Sequence, residues 1–279
     1  MKWLHFILSH SIFISLCAAA LCYQSYELLN VVPDNRVYLL VFCSTLSSYN
    51  LYWLISKYYF SKEKNKLTFL KKHFTNLLLF FLASFGAAYC MFLIPVIIPF
   101  VAVAVILTLL YSLPLSPIRA SFLRNAGFIK TLLLAFTWTY VTIIIPVQID
   151  LFKITTGIAI LFTARFAFML MLCSIFDSRD IAIDKMHSLR SLATDVSRGT
   201  LKIIMGIFFL IYLSAGSLLR QNFSTTPQVI AFFITGILVF FIYILSLKKQ
   251  GYVFYYFVVD GLMLFSAGAT YVASNWLFL

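Results

Sequence analysis

The sequence predicts an all-α membrane protein folded as a single helical bundle, and three observations carry that expectation. Hydrophobic residues make up 62% of the 279 positions and charged residues 11%, against about 25% charged in a soluble domain. Mean hydropathy is +0.98. Apolar runs of about 20 residues, the length a helix needs to cross a bilayer, recur from end to end. Lysine and arginine gather in alternate connections between those runs. No stretch is long enough for a separate soluble domain, so residues 1–279 read as one polytopic unit with inner loops 57–74, 113–130 and 177–200.

Apolar runs set against charge breaks place about nine transmembrane helices. They lie near Trp3–Cys22, Val37–Ser56, Thr75–Leu93, Pro95–Ser112, Phe128–Val147, Ile154–Phe176, Leu201–Leu219, Val229–Ser246 and Val253–Ser274. The first is read as a retained span. The alternative, a signal peptide cut near Ala18-Ala19-Ala20, leaves the remaining topology unchanged. Between the third and fourth runs hydrophobicity is almost unbroken, and Pro95 and Pro99 supply the turn. Pro114 and Pro117 end the fourth.

With the amino terminus inside, the inner segments hold Lys2, Lys57, Lys62, Lys64, Lys66, Lys71, Lys72, Arg119, Arg124, Lys130, Arg179, Lys185, Arg190, Arg198, Lys202, Lys248 and Lys249. The outer segments hold Arg36, Lys153 and Arg220. The positive-inside rule therefore accounts for the net charge of +12 without nucleic acid. No protein partner is implied; the bilayer is.

Cys17, Cys22, Cys43, Cys90 and Cys173 lie inside apolar runs without paired or metal-like spacing and read as small core residues. His5 and His10 read as packing residues, and His187 as a solvated loop histidine. The clusters Ser214-Ala-Gly-Ser217 and Ser266-Ala-Gly-Ala269 suggest close helix packing. Arg165 and Asp260 are ionisable groups at bilayer depth, where such groups are expensive. Counted from the inner face they lie about 16–18 Å and 10–12 Å deep, and they are expected to pair. A direct substrate contact is the alternative.

The costliest stretch to keep is Asp177-Ser-Arg-Asp-Ile-Ala-Ile-Asp184, which puts three carboxylates at the end of an apolar run in a chain with only nine acidic residues. If the sixth helix continues through it, Asp177, Asp180 and Asp184 stand at i, i+3 and i+7, within about 60° around the axis. Three like charges on one face repel, so a divalent cation is the simplest compensation. Arg179, Lys185 and Arg190 interleave the acids and suit a metal-bound anion such as a diphosphate.

This Asp177-x-x-Asp180-x-x-x-Asp184 run resembles the second acidic motif of the UbiA superfamily of intramembrane prenyltransferases. Arg190-Ser191 looks like the basic-hydroxyl pair that trails that motif, with Ser188 where glycine is usual. The likeness extends to nine helices, to long inner loops after helices two, four and six, and to Tyr111-Ser-Leu-Pro114 closing helix four. It implies a UbiA-like bundle around a central cavity and Mg²⁺ held by Asp177, Asp180 and Asp184. It also implies a prenyl diphosphate bound by Arg190, Ser191, Arg119, Lys130 and Tyr111, and a lipophilic acceptor. The acceptor would be an aromatic ring or another nucleophile. Tyr49, Tyr52, Trp53 and Trp138 could steady an allylic cation, or simply pack.

The likeness has a gap. The family's first motif opens with asparagine and continues with aspartates on helix two; here Asn50 keeps the opening while Leu51, Leu54 and Tyr58 stand in the acid positions. Asn50 reads either as a cavity residue or as a helix–helix hydrogen bond. Lys57, at i+7 from it, could replace a second metal's charge. The expectation is a Mg²⁺-dependent prenyltransferase, with a non-catalytic polyprenyl-diphosphate binder of the same fold as the alternative. An unrelated transporter, the third reading, would show internal repeats, and none is evident. The expected setting is a bacterial plasma membrane with the site on the cytoplasmic side.

Overall fold

A computed structural model describes residues 2–60, 66–112, 127–148, 155–186, 192–222 and 224–275, and these are helical with short connections. In chain order the helices are α1 (Lys2–Ser9), α2 (Ile12–Leu29), α3 (Asn35–Phe60), α4 (Lys66–Lys72), α5 (Phe74–Leu93) and α6 (Ile98–Ser112). There follow α7 (Gly127–Thr139), α8 (Thr155–Met186), α9 (Leu192–Asp195), α10 (Arg198–Asn222), α11 (Thr226–Ser246) and α12 (Asp260–Asn275). A π-helical turn, Tyr140–Ile144, extends α7 into Ile145–Val147, and another, Phe254–Val259, leads into α12.

Among the described residues, eight helices are long and apolar enough to span a bilayer, and the segment Pro95–Tyr111 is a shorter apolar helix. A 3₁₀ turn at Pro95–Ile97 separates α5 from α6, as the prolines predict. Packing runs α6 on α7, α7 on α8, α8 on α10, α10 on α11, α11 on α12, α12 on α2, α2 on α3 and α3 on α5, with the 3₁₀ turn Pro95–Ile97 touching both α5 and α6. α8 is the most enclosed span, with 72% of its apolar window buried, against 22% for α5, which shows its aromatic face outward. A helix that is apolar all round suits the first place, and one with an outward Phe81, Phe85, Phe92 stripe suits a lipid-facing wall.

The first span is not where hydrophobicity puts it. The run Trp3–Cys22 breaks at Ser11, whose φ of 62° lies in the left-handed region. Residues 2–9 form a separate short helix with Trp3 83% exposed, and the span itself runs Ile12–Leu29. Its second half contains Gln24, Ser25 and Glu27, which look like a span boundary in sequence. Gln24 and Ser25 are nevertheless buried and hydrogen-bonded within the bundle.

Those bonds explain Arg165. The guanidinium, 3% exposed, donates to Gln24 Oε1 at 2.7 Å, to Thr142 Oγ1 at 3.2 Å and to the Leu21 carbonyl at 3.3 Å. Gln24 Nε2 in turn donates to Ser266 Oγ at 2.8 Å and Thr270 Oγ1 at 2.9 Å. The expected Arg165–Asp260 pair does not form. Register decides this: Ser266 and Thr270 lie about 9 and 15 Å further along α12 than Asp260, and it is they that reach the level of Arg165 through Gln24.

The two small-residue clusters also part company. A Cβ on Gly216 would come within 2.6 Å of the Phe232 ring, so there α10 and α11 touch as the sequence suggests. At Gly268 a Cβ would meet nothing; Ser266, in the same cluster, serves the Arg165 network instead.

Candidate functional site

α8 does continue through the acidic run, ending at Met186, so Asp177, Asp180 and the backbone of Asp184 fall on one helical face. The Asp184 side chain, and all of Arg119, Arg190 and Ser191, lie outside the described residues. Asp177 Oδ2 accepts a 2.6 Å hydrogen bond from Thr131 Oγ1, which ties α8 to the start of α7. Thr131 immediately follows Lys130, an exposed cation, and this brings Lys130 to the same end of the bundle.

Asp180 is held by its own neighbour. Arg179 Nε and Nη2 donate to the two Asp180 oxygens, both at 2.7 Å. The guanidinium also lies over three rings, Phe176 at 5.2 Å and Tyr255 and Tyr256 at 5.1 Å each. Consecutive helical residues do not face each other, but a long arginine chain wraps far enough when aromatic faces hold it there. The sequence shows Arg179 among the acids and does not show the aromatic cage, which comes from the π turn before α12.

One turn up the helix from Asp177, Cys173 gathers the rest of the site. The charges of Asp177 and Asp260 both reach its thiol. Tyr111 and Asp260 likewise act on Tyr49, whose ring meets Trp138 edge-on at 6.2 Å. Tyr111, at the end of α6, also lies within electrostatic reach of Tyr52 and Cys173. Asp177 and Cys173 of α8, Tyr111 of α6 and Tyr49 of α3 thus lie within electrostatic reach of one another. Asp260, expected to pair with Arg165 or to contact substrate, carries a charge that reaches Cys173 and Tyr49.

Asn50 and Lys57 have other occupations. Asn50, fully buried, donates to the His10 carbonyl at 3.1 Å and to Leu46 O at 2.8 Å, and accepts from Asn76 Nδ2 at 2.9 Å. It thereby satisfies the carbonyl freed by the break at Ser11, the helix–helix role rather than the cavity role. Lys57 Nζ sits 3.3 Å over the Trp53 ring, with Lys72 as its charged neighbour. Leu54 is buried, and Leu51 and Tyr58 are exposed. A groove of about 470 Å³ between α8 and α10, lined by Ala159, Thr163, Ile207, Leu210 and Ser214, lies at the opposite end of α8 from the acids.

Magnesium takes oxygen donors and is commonly held by one or two carboxylates, with water and phosphate completing the shell. Carboxylates one turn apart on α8 fit that chemistry. Among the described residues no three His, Cys, Asp or Glu side chains form a closed metal cage, so an ion here would draw part of its shell from a ligand. For Asp180 to contribute, Arg179 must let go of it.

No protein-family model matches the sequence, and no curated protein matches it. A solved structure does: the apo form of a UbiA homolog from Aeropyrum pernix K1, at 10% identity, superimposes with a TM-score of 0.63 over 96% of this chain and 99% of that one. At that identity the correspondence is one of fold. A multi-pass, all-helical bundle in which nearly every residue of both chains takes part is the UbiA fold, and this protein has it.

Proposed function

We propose that this protein is a Mg²⁺-dependent intramembrane prenyltransferase that moves an isoprenoid group from a prenyl diphosphate to a lipophilic acceptor. The observation that carries the reading is the unbroken course of α8, which lines up Asp177, Asp180 and Asp184 at the charged end of a UbiA-type bundle. Bound there, Mg²⁺ would neutralise the departing diphosphate. Asp177, oriented by Thr131, and Asp180 would hold the ion. Arg179, released from Asp180, would meet phosphate oxygens, as would Lys130 at the head of α7. The clustered basic residues support a cytoplasmic face for this end, in a bacterial plasma membrane.

A second reading is a binder or carrier of polyprenyl diphosphates that does not transfer. One observation favours it: α3 offers no carboxylate, and Asn50 is fully engaged in structural bonds. Mass spectrometry of lipids co-purifying with the protein, with and without Mg²⁺, tests both readings. A Mg²⁺-dependent prenyl diphosphate supports the site. Turnover that disappears in Asp180→Asn and Asp184→Asn supports the transferase, and binding without turnover supports the carrier. Parent-rate transfer by both variants would rule out the metal site.

A further inference from the structure

Where α3 ends and α5 begins, the chain carries a basic patch that the bundle does not use for its own packing. α4 lies between the two in sequence, and its buried Phe69 pins it in place. The Phe69 ring meets Tyr58 of α3 edge-on at 5.3 Å and His73 at 4.7 Å. His73 stands edge-on to Trp53 at 5.8 Å, and the Trp53 ring carries the Lys57 ammonium 3.3 Å from its centre. This run of rings brings Lys57 together with the last turn of α4, which holds Lys71 and Lys72. All three lysines are exposed, and among the described residues none has a carboxylate partner.

Their level and their neighbours say what would balance them. The span of α3 runs to Tyr58 and that of α5 starts at Phe74, so the ammoniums stand at the edge of the hydrocarbon, where lysine stems reach along apolar surface and leave the charge at headgroup depth. Two residues beyond Lys72, Phe74 opens an exposed stripe on α5 that continues through Leu78, Phe81 and Phe85 at i+4, i+7 and i+11, one helical face. From Phe74 to Phe85 is about 16 Å along the axis, close to one leaflet of a hydrocarbon core about 30 Å thick. A molecule that complements this surface has an anionic head and an apolar chain of leaflet length.

We propose that Lys57, Lys71 and Lys72 form a binding site for an anionic glycerophospholipid of the leaflet at this end of the bundle. The lipid phosphate accepts hydrogen bonds from the ammoniums. Trp53 braces Lys57 from the other side, and one acyl chain lies along the Phe74, Leu78, Phe81 and Phe85 face. The site uses no residue of the acidic run and does not rest on the transferase reading.

The test titrates delipidated full-length protein in dodecylmaltoside with phosphatidylglycerol or phosphatidylcholine and counts bound lipid by native mass spectrometry. The parent protein should prefer phosphatidylglycerol. Lys57→Gln combined with Lys72→Gln should weaken phosphatidylglycerol binding by about tenfold and leave phosphatidylcholine binding as before. Lys248→Gln combined with Lys249→Gln removes the same charge at exposed positions where, among the described residues, no ring backs the ammonium, and it should keep the preference. A second measurement needs no variant: phosphatidylglycerol with a diazirine in its acyl chain should label the segment Phe74–Phe85 of the parent protein, and excess inorganic phosphate should not reduce the labelling. Equal binding of the two lipids by the parent, equal losses in the two double variants, or labelling confined to other segments overturns the proposal. Displacement by inorganic phosphate overturns it as well, since the patch would then take a free anion and not a lipid.

Discussion

Arg179 grips Asp180 with two parallel 2.7 Å hydrogen bonds while its guanidinium rests in a cage of Phe176, Tyr255 and Tyr256. Arginine and metal thus compete for the same two oxygens. Replacing Arg179 with methionine should free Asp180, so Mn²⁺, followed by electron paramagnetic resonance without diphosphate, should bind about tenfold more tightly. Pyrophosphate affinity in the presence of metal should fall by a similar factor. Unaltered Mn²⁺ binding would mean that Asp180 is not a ligand.

Asn50 is expected to matter for stability and not for ligand affinity. Asn50→Ala leaves the His10 carbonyl and the Asn76 amide without partners in the bundle. The cost should be about 1–2 kcal/mol, read from unfolding in mixed detergent micelles. Mn²⁺ and pyrophosphate binding should be unchanged, whereas a cavity role would weaken both.

The Arg165 network predicts an asymmetry. Gln24→Leu removes the nearest of the three acceptors, 2.7 Å from a guanidinium that is 3% exposed, a loss of about 2 kcal/mol. Arg165→Met deletes the charge itself and should cost less, since an apolar side chain suits the position. The double variant should be more stable than Gln24→Leu alone. Additive losses would show that the pair is not coupled.

At the turn between α2 and α3, the Asp34 carboxylate accepts from the Arg36 backbone N–H at 2.9 Å and from its guanidinium at 2.8 Å, capping α3. The side-chain bonds from Arg36 come first in holding the Asp34 pKa below its ordinary 3.8. A depressed folded-state pKa contributes stability that is present above the unfolded value and lost as pH falls through the folded one. Asp34→Ala should therefore cost about 1 kcal/mol at neutral pH, the ordinary size of a helix cap. The difference from the parent protein should shrink once the pH drops below about 4, as followed by thermal unfolding.

Hydropathy and charge asymmetry alone determine that this chain is a multi-pass helical bundle, because a helix must be apolar over about 20 residues to cross a bilayer whatever it packs against. The acidic spacing likewise puts Asp177, Asp180 and Asp184 on one face, since helical periodicity is a local property. Tertiary structure decided what local periodicity does not contain. It moved the first span to Ile12–Leu29, because Gln24 is polar in sequence yet satisfied by Arg165, Ser266 and Thr270 from other helices. It turned Asn50 to the carbonyl opened at Ser11, and it gave Arg165 to Gln24 rather than to Asp260. Those outcomes depend on the axial register of one helix against the next, where a shift of one turn, about 5.4 Å, exchanges every partner.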